Sequence, residues 1–334
     1  MKKSLIALAV LATTGAAFAQ SSVTMYGRID LSVGSIDQTS GTFLNSGNDN
    51  SGVFSGALTT SRYGFRGTED LGGGLKGNFV LETAVKADTG AQGNSARFFD
   101  RAAWLGLAGG FGEVNIGKNW TALDDIYGAG NSGFDGSRLA ISNVVWESAG
   151  YADIPNSTIK YVSPSFGGFS GAASYSLDQT IGQSTDVTSF QLSYAAGPVA
   201  AAVGYQEEAS AAGADRKTTM VNGSFDFGVA RLIGALGNVS GVGSVSGAKA
   251  NDYHIGVDVP LGSALSLSGG YASSKQKTGG VTTSKTDGFG IAAKYSLSKR
   301  TTTYAGYRDA DTENGAGVKT NERKEFIVGV NHAF

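Results

Sequence analysis

The chain of 334 residues has no cysteine, four prolines and two histidines. Past its first twenty residues it also lacks any apolar run near the roughly 20 residues that a membrane-crossing helix needs. Each shortage removes a class of answer. Without thiols there is neither a disulfide framework nor a thiolate metal site. His254 and His332 are far apart and the carboxylates are scattered, so no metal-ligand spacing is present. Charged residues make up 16% of the chain, below the usual quarter, and the formal net charge is −2. That balance offers no basic footprint for nucleic acid. Gly72-Gly73-Gly74 is followed by no helical pattern and no Lys-Ser/Thr pair, so a phosphate-binding loop is excluded and no cofactor is implied.

What is present begins with a targeting segment. Lys2 and Lys3 precede an apolar stretch from Leu5 to Leu11, and Ala17-Phe18-Ala19 supplies small residues around a cleavage site. Residues 1–19 therefore read as a cleaved signal peptide, with 20–334 as a single mature domain. The mature part carries 24 basic against 28 acidic residues. If it sits in a membrane without apolar helices, only a closed β-barrel satisfies its backbone.

The hydropathy pattern has period two almost throughout. Val23, Met25, Ile29, Leu31 and Val33 share one face of the first segment, with Tyr26, Arg28, Asp30 and Ser32 on the other. Leu75, Phe79, Leu81 and Val85 likewise oppose Lys76, Asn78, Glu82 and Lys86. Such alternation is the mark of half-buried strands. It predicts an all-β, transmembrane antiparallel barrel of about 16 strands. Short turns, as at 69–74, 109–112 and 197–198, alternate with longer polar loops at 34–56, 87–96, 207–215, 240–249, 276–285 and 309–320. Short periplasmic turns and long extracellular loops are the asymmetry of outer-membrane barrels. A soluble β-sandwich would alternate too, but its turns would not sort by length. In-strand glycines, including Gly270, Gly288, Gly290 and Gly306, suit a strongly curved wall.

A charge facing lipid at mid-bilayer costs about 2–4 kcal/mol, so strand arginines belong in the lumen. Parity places Arg28, Arg62, Arg66, Lys76 and Lys86 inward. Arg101 is ambiguous, because RAAWLGL is apolar on both parities. The stretch 121–156 is the longest without alternation, and loops of that length tend to be functional. It holds Asp124, Asp125, Asp135, Glu147 and Asp153 against a single Arg138. A hydrolase site would need a base beside a nucleophile. His332 shares the outward parity of Val328 and Val330, and His254 reads as a lumen-facing polar residue beside Asp252 and Asp258. The chain is thus not expected to be an enzyme.

Several blocks together carry a family resemblance: SVTMYGRIDL at 22–31, SRYGFRGTEDLGGGLKGNFVLET at 61–83, FFDRAAWLGLAGGFGEVNIGKNW at 98–120, NSTIKYVSPSFGGF at 156–169, KYSLSKRTTTYAGY at 294–307 and FIVGVNHAF at 326–334. The sequence resembles the Gram-negative trimeric general porins over nearly its whole mature length. The resemblance implies a 16-stranded homotrimeric barrel in the outer membrane, in contact with lipid and lipopolysaccharide, that passes ions and small hydrophilic solutes by passive diffusion. It also implies that 121–156 folds into the lumen as a constriction. Arg28, Arg62 and Arg101 would then form a basic wall opposite Asp125 and Asp135, and Trp104 would face lipid. Arg66, Lys76, Lys118 and Arg138 are further candidates for lumenal charge. Lys118 stands where the family often has arginine, and the family's basic residue before NSTIKY is missing, so ion preference stays open. A substrate-selective channel and a barrel serving adhesion or structure are the alternatives.

Overall fold

The computed structural model describes residues 22–38, 50–178 and 185–334; the expected signal peptide lies outside them. Sixteen wall strands follow in chain order. They are β1 (Ser22–Gln38), β2 (Asn50–Ser55, resuming at Arg62–Gly72), β3 (Leu75–Lys86), β4 (Ala102–Gly109), β5 (Gly112–Lys118), β6 (Thr158–Val162), β7 (Phe169–Ser176) and β8 (Val187–Ala196). The second half comprises β9 (Val199–Glu208), β10 (Arg216–Asp226), β11 (Arg231–Ser240), β12 (Ala248–Leu261), β13 (Leu265–Thr278), β14 (Val281–Ser296), β15 (Thr301–Asn314) and β16 (Lys319–Ala333). Each pairs antiparallel with its sequence neighbour, and β1 pairs with β16 from Arg28↔Ala333 to Gln38↔Arg323, which closes the sheet. Closure leaves no edge whose backbone groups would be stranded in lipid. Among the described residues no helix is long and apolar enough to cross a membrane.

Alternation sorts the side chains as the sequence implies. Val33, Leu105 and Ile255 are 63%, 67% and 65% exposed on the outside, whereas Asp30, Glu82 and Asp252 lie buried on the inside. A bilayer-facing band can be this apolar because lipid, not protein, covers it. His332 points outward with its Nδ1 2.9 Å from Thr301 Oγ1.

The strands run further than their apolar faces. The stretches 276–285 and 309–320, expected as loops, are mostly hairpin: β13 and β14 meet across Gly279-Gly280, and β15 continues to Asn314. Beyond the bilayer both faces of a strand see water, so residues such as Thr282, Thr283 and Ser284 carry no alternation to read. The second strand is interrupted at 56–61, where Asp30 Oδ1 accepts from the backbone N–H of Ala57 at 2.8 Å and from the Tyr304 hydroxyl at 2.7 Å. The outer loop tip at 39–49 lies outside the described residues.

Candidate functional site: the inward loop and the charged wall

The segment 121–156 enters the barrel and packs against the inner wall. It contains two single-turn helices, α1 (Asp124–Tyr127) and α2 (Ser142–Val145), and two short 3-10 turns. Its apolar residues have nowhere to go but the lumen side of the sheet. Leu123, Ile126 and Tyr151 pack with Met220, and Ile141, Val145 and Trp146 pack with Ala235, Ala272 and Ala310. Its backbone is tied down by wall side chains along the way. The N–H of Leu123 donates to Ser189 Oγ at 2.8 Å, that of Gly133 to Ser268 Oγ at 2.6 Å, and that of Ser148 to Asp252 Oδ2 at 2.7 Å. His254 is buried and its Nε2 accepts from the N–H of Ser132 at 3.1 Å, so this inward histidine is an anchor for the loop.

Close approach explains the in-strand glycines more specifically than wall curvature does. A Cβ on Gly204 would meet Leu123 and Ile126 at 2.7 Å, one on Gly256 would meet Ser132 at 2.6 Å, and one on Gly288 would meet Ile141 at 2.9 Å. Gly306 and Gly270 lie just as tightly under Leu139 and Ser132. The missing side chains are the loop's footprint on the wall.

Of the expected wall residues, Arg62 and Arg101 converge on one carboxylate. Arg62 Nε lies 3.3 Å and Arg101 Nε 2.7 Å from Glu82, which also accepts from the Tyr26 hydroxyl at 2.9 Å. Glu82 was legible as an inward residue of β3, but its pairing across three strands was not. Arg28 is register-paired with Arg62 on the neighbouring strand. Arg66 lies with its guanidinium 5.0 Å from the Tyr26 ring centroid. Lys76 is exposed near the short turn. Arg28, Arg62, Arg66 and Arg101 therefore share this wall, and Glu82 is the carboxylate on which two of them converge.

The expected acidic residues separate. Asp125 is held 2.6 Å from Lys160 Nζ, a lysine on the inward parity of β6 that the loop-based reading missed. Burial pushes the Asp125 carboxyl up, against the pull of Lys160. Asp124 accepts from the Tyr151 hydroxyl at 2.7 Å, and burial pushes its carboxyl up to about 6. Asp135 lies on a different part of the lumen, lining a 500 Å³ cavity with Arg231 and Lys294. Phe134 and Asp135 both adopt the left-handed region, at φ 61° and 55°, at a cost of about 1–3 kcal/mol each. Lys294 Nζ sits 4.5 Å from the Phe134 ring centroid above that turn.

Two placements differ from the sequence reading, and a third gains a partner. Lys118 shares the outward parity of Ile116 and reaches round to the carbonyl of Ile154 at 2.6 Å, so it fastens the loop's end and adds no lumenal charge. Trp104 faces inward. Arg101 precedes the first paired residue of β4, so it does not set that strand's parity; Val80↔Trp104 pairing puts the indole on the side of Glu82, and Leu105 and Leu107 take the lipid face. Arg138 docks on β16 and does not stand free. Its guanidinium is 3.2 Å from Glu325, which Arg308 and Arg323 also approach at 2.7 and 3.0 Å. Three arginines around one buried carboxylate leave two positive charges in excess. Sequence parity around Phe326 and Val328 already points Arg323 and Glu325 inward, but nothing local joins them to Arg308 or the loop.

A closed sheet with a lipid-facing outside, a charged interior and a loop packed within it defines an outer-membrane channel for passive diffusion. The comparisons agree. A model of the Gram-negative porin family matches residues 4–315. The outer membrane porin protein 32 of Delftia acidovorans is 35% identical over 368 residues, covering 100% of both chains, and an outer membrane porin protein of Bordetella pertussis is 28% identical with the same coverage. Among solved structures, the anion-selective porin from Comamonas acidovorans superposes with a TM-score of 0.77 at 29% identity, covering 94% of this chain and 100% of that one. OmpF from Salmonella typhi, in complex with daunomycin, shares the fold at a TM-score of 0.68 and 17% identity. The chain belongs to the Gram-negative porin family, and its place is the outer membrane.

Proposed function

We propose that this porin is a homotrimeric general diffusion channel that favours anions, with its constriction formed between the 121–156 loop and the wall that carries Arg28, Arg62, Arg66 and Arg101. The observation that carries the reading is the unequal pairing of charge inside. Arg62 and Arg101 share Glu82 on a wall that also carries Arg28 and Arg66, and Arg138, Arg308 and Arg323 share Glu325 on the other. The facing loop carboxylates are already engaged: Asp125 by Lys160 and Asp124 by Tyr151. Charged linings of one sign select ions of the other. The similarity to an anion-selective porin supports the same preference. Lysine at position 118 costs little on this reading, since the loop arginine and the Arg308–Arg323 pair supply charge from elsewhere.

Trimerisation rests on the family, of which trimeric forms are known; apolar outward residues such as Val33, Val328 and Val330 on β1 and β16 suit a subunit contact. Lipid and lipopolysaccharide follow from the location, and ions and small hydrophilic solutes from the polar interior. The family and fold are those of a channel, not of an enzyme.

The test is a planar bilayer with a salt gradient. Purified protein should insert with conductance in steps of three and a reversal potential of anion sign. Replacing both Arg62 and Arg101 by alanine should move that potential toward cations. An unchanged potential would remove the two arginines from the selective region.

A further inference from the structure

The inward turn of Trp104 leaves an unusual surface in a water-filled barrel. Trp104 and Trp120 line a 590 Å³ cavity on the short-turn side of the loop, together with Tyr26, Arg66 and Lys160. Glu82, Asp124 and Asp125 line it too, but Glu82 is taken by Arg62 and Arg101, Asp125 by Lys160, and Asp124 accepts from Tyr151. A second cavity of 320 Å³ adjoins it and shares Trp104 and Arg66; its one carboxylate, Glu113, accepts from Asn78 Nδ2 at 3.0 Å. The two tryptophans are placed differently. Trp120 is covered on one side by the Arg101 guanidinium, 5.3 Å from its ring centroid. Trp104 has no such cover among the described residues, and its indole N–H has no protein acceptor there. Beside it, Asn115 is 5% exposed and its Oδ1 has no hydrogen-bond partner. Val80 is Trp104's register partner on β3 and lies on the same inner patch.

The part-exposed indole of Trp104 would gain contacts from a flat apolar solute, and a ring's preferred partner is another ring set edge-on or offset. Arg66 stands at both cavities and makes no ion pair among the described residues, so a guanidinium remains for a carboxylate.

We propose that the Trp104 cavity is a stacking subsite for flat anionic solutes, with aromatic carboxylates as its ligand class. Trp104 takes the ring and Arg66 the carboxylate. The subsite rests on the channel reading and gives it a preferred cargo: such acids dwell on the wall at the short-turn side, where chloride does not.

The test uses the full-length porin in a planar bilayer. Chloride conductance comes first, and its absence would sink the channel reading itself. With conductance present, benzoate added on the short-turn side should interrupt the current at about tenfold lower concentration than cyclohexanecarboxylate, which has the same charge and no π face. Trp104→Ala should abolish that difference and Trp104→Tyr should keep part of it, each barrel being verified by its heat-modifiable mobility on a gel. Equal block by the two acids, or undiminished discrimination in Trp104→Ala, would overturn the subsite. If Trp104→Ala yields no barrel, a porin carrying Trp120→Phe and Trp146→Phe leaves Trp104 as the sole indole. Saturable quenching by 4-nitrobenzoate then supports the proposal, and quenching linear in concentration refutes it.

Discussion

At the scale of single residues, the lumen has two places where arginines outnumber the carboxylate they meet, at Glu82 and at Glu325. Glu82 is the clearest case, since it neutralises part of the charge on both Arg62 and Arg101. Glu82→Gln should therefore make the reversal potential more anion-selective, the opposite of removing the arginines; a shift toward cations would mean that the arginines had collapsed onto another partner. Asp124 supplies a pH dependence. Its carboxyl is pushed up to about 6, so the folded protein holds a proton there that the unfolded chain releases near the ordinary carboxylate range. The folded state binds the extra proton between about pH 4 and 6, so stability falls as pH rises through that window and the cost is complete above it. Anion preference should accordingly grow as pH falls from 8 to 5, with a midpoint near 6. Asp124→Asn should flatten that titration, and should raise the melting temperature at pH 7.5 while leaving it unchanged at pH 4.

Elements show where sequence is informative and where it is not. A strand that separates lipid from water must alternate, so β3 or β12 can be read from residues such as Leu81 and Glu82, or Asp252, Tyr253 and His254. The 121–156 loop is readable only as an interruption. Its residues are apolar because they pack inside the barrel, and nothing in Leu139 or Ile141 says which glycine lies beneath. The same limit hid the Arg138–Glu325 contact, which joins positions 187 residues apart. Removing one member of a buried charged cluster strands the others. Glu325→Ala is expected to cost about 3–5 kcal/mol and to loosen the loop. The melting temperature should drop, and trypsin should gain a cut after Arg138 in the intact barrel; resistance to trypsin equal to wild type would show that the apolar packing alone holds the loop.

For the whole molecule, closure depends on the seam between β1 and β16. The N–H of Gly27 donates to the carbonyl of Phe334 at 3.1 Å, the N–H of Phe334 returns a bond to Gly27 at 3.0 Å, and the Phe334 ring lies over the glycine. A Cβ at position 27 would come within 2.5 Å of that ring and 2.7 Å of the Arg62 carbonyl. Gly27→Val should thus lower the fraction of protein that refolds to a heat-resistant barrel, as seen by gel mobility, without altering the ion preference of the barrels that form. The count of sixteen strands was legible because each must cross one bilayer. The seam was not, because it joins the two ends of the chain.

The glycine footprint beneath the loop bears on how a cell could regulate this porin. A segment seated in notches and pinned at several points along its length behaves as a fixed orifice, with little slack to act as a valve. Changing the aperture would require several bonds to break together, or the notches and the loop to be rebuilt as a matched pair. Throughput is then set by the gradient outside and by how many copies are installed, and adjusting permeability becomes a matter for gene expression.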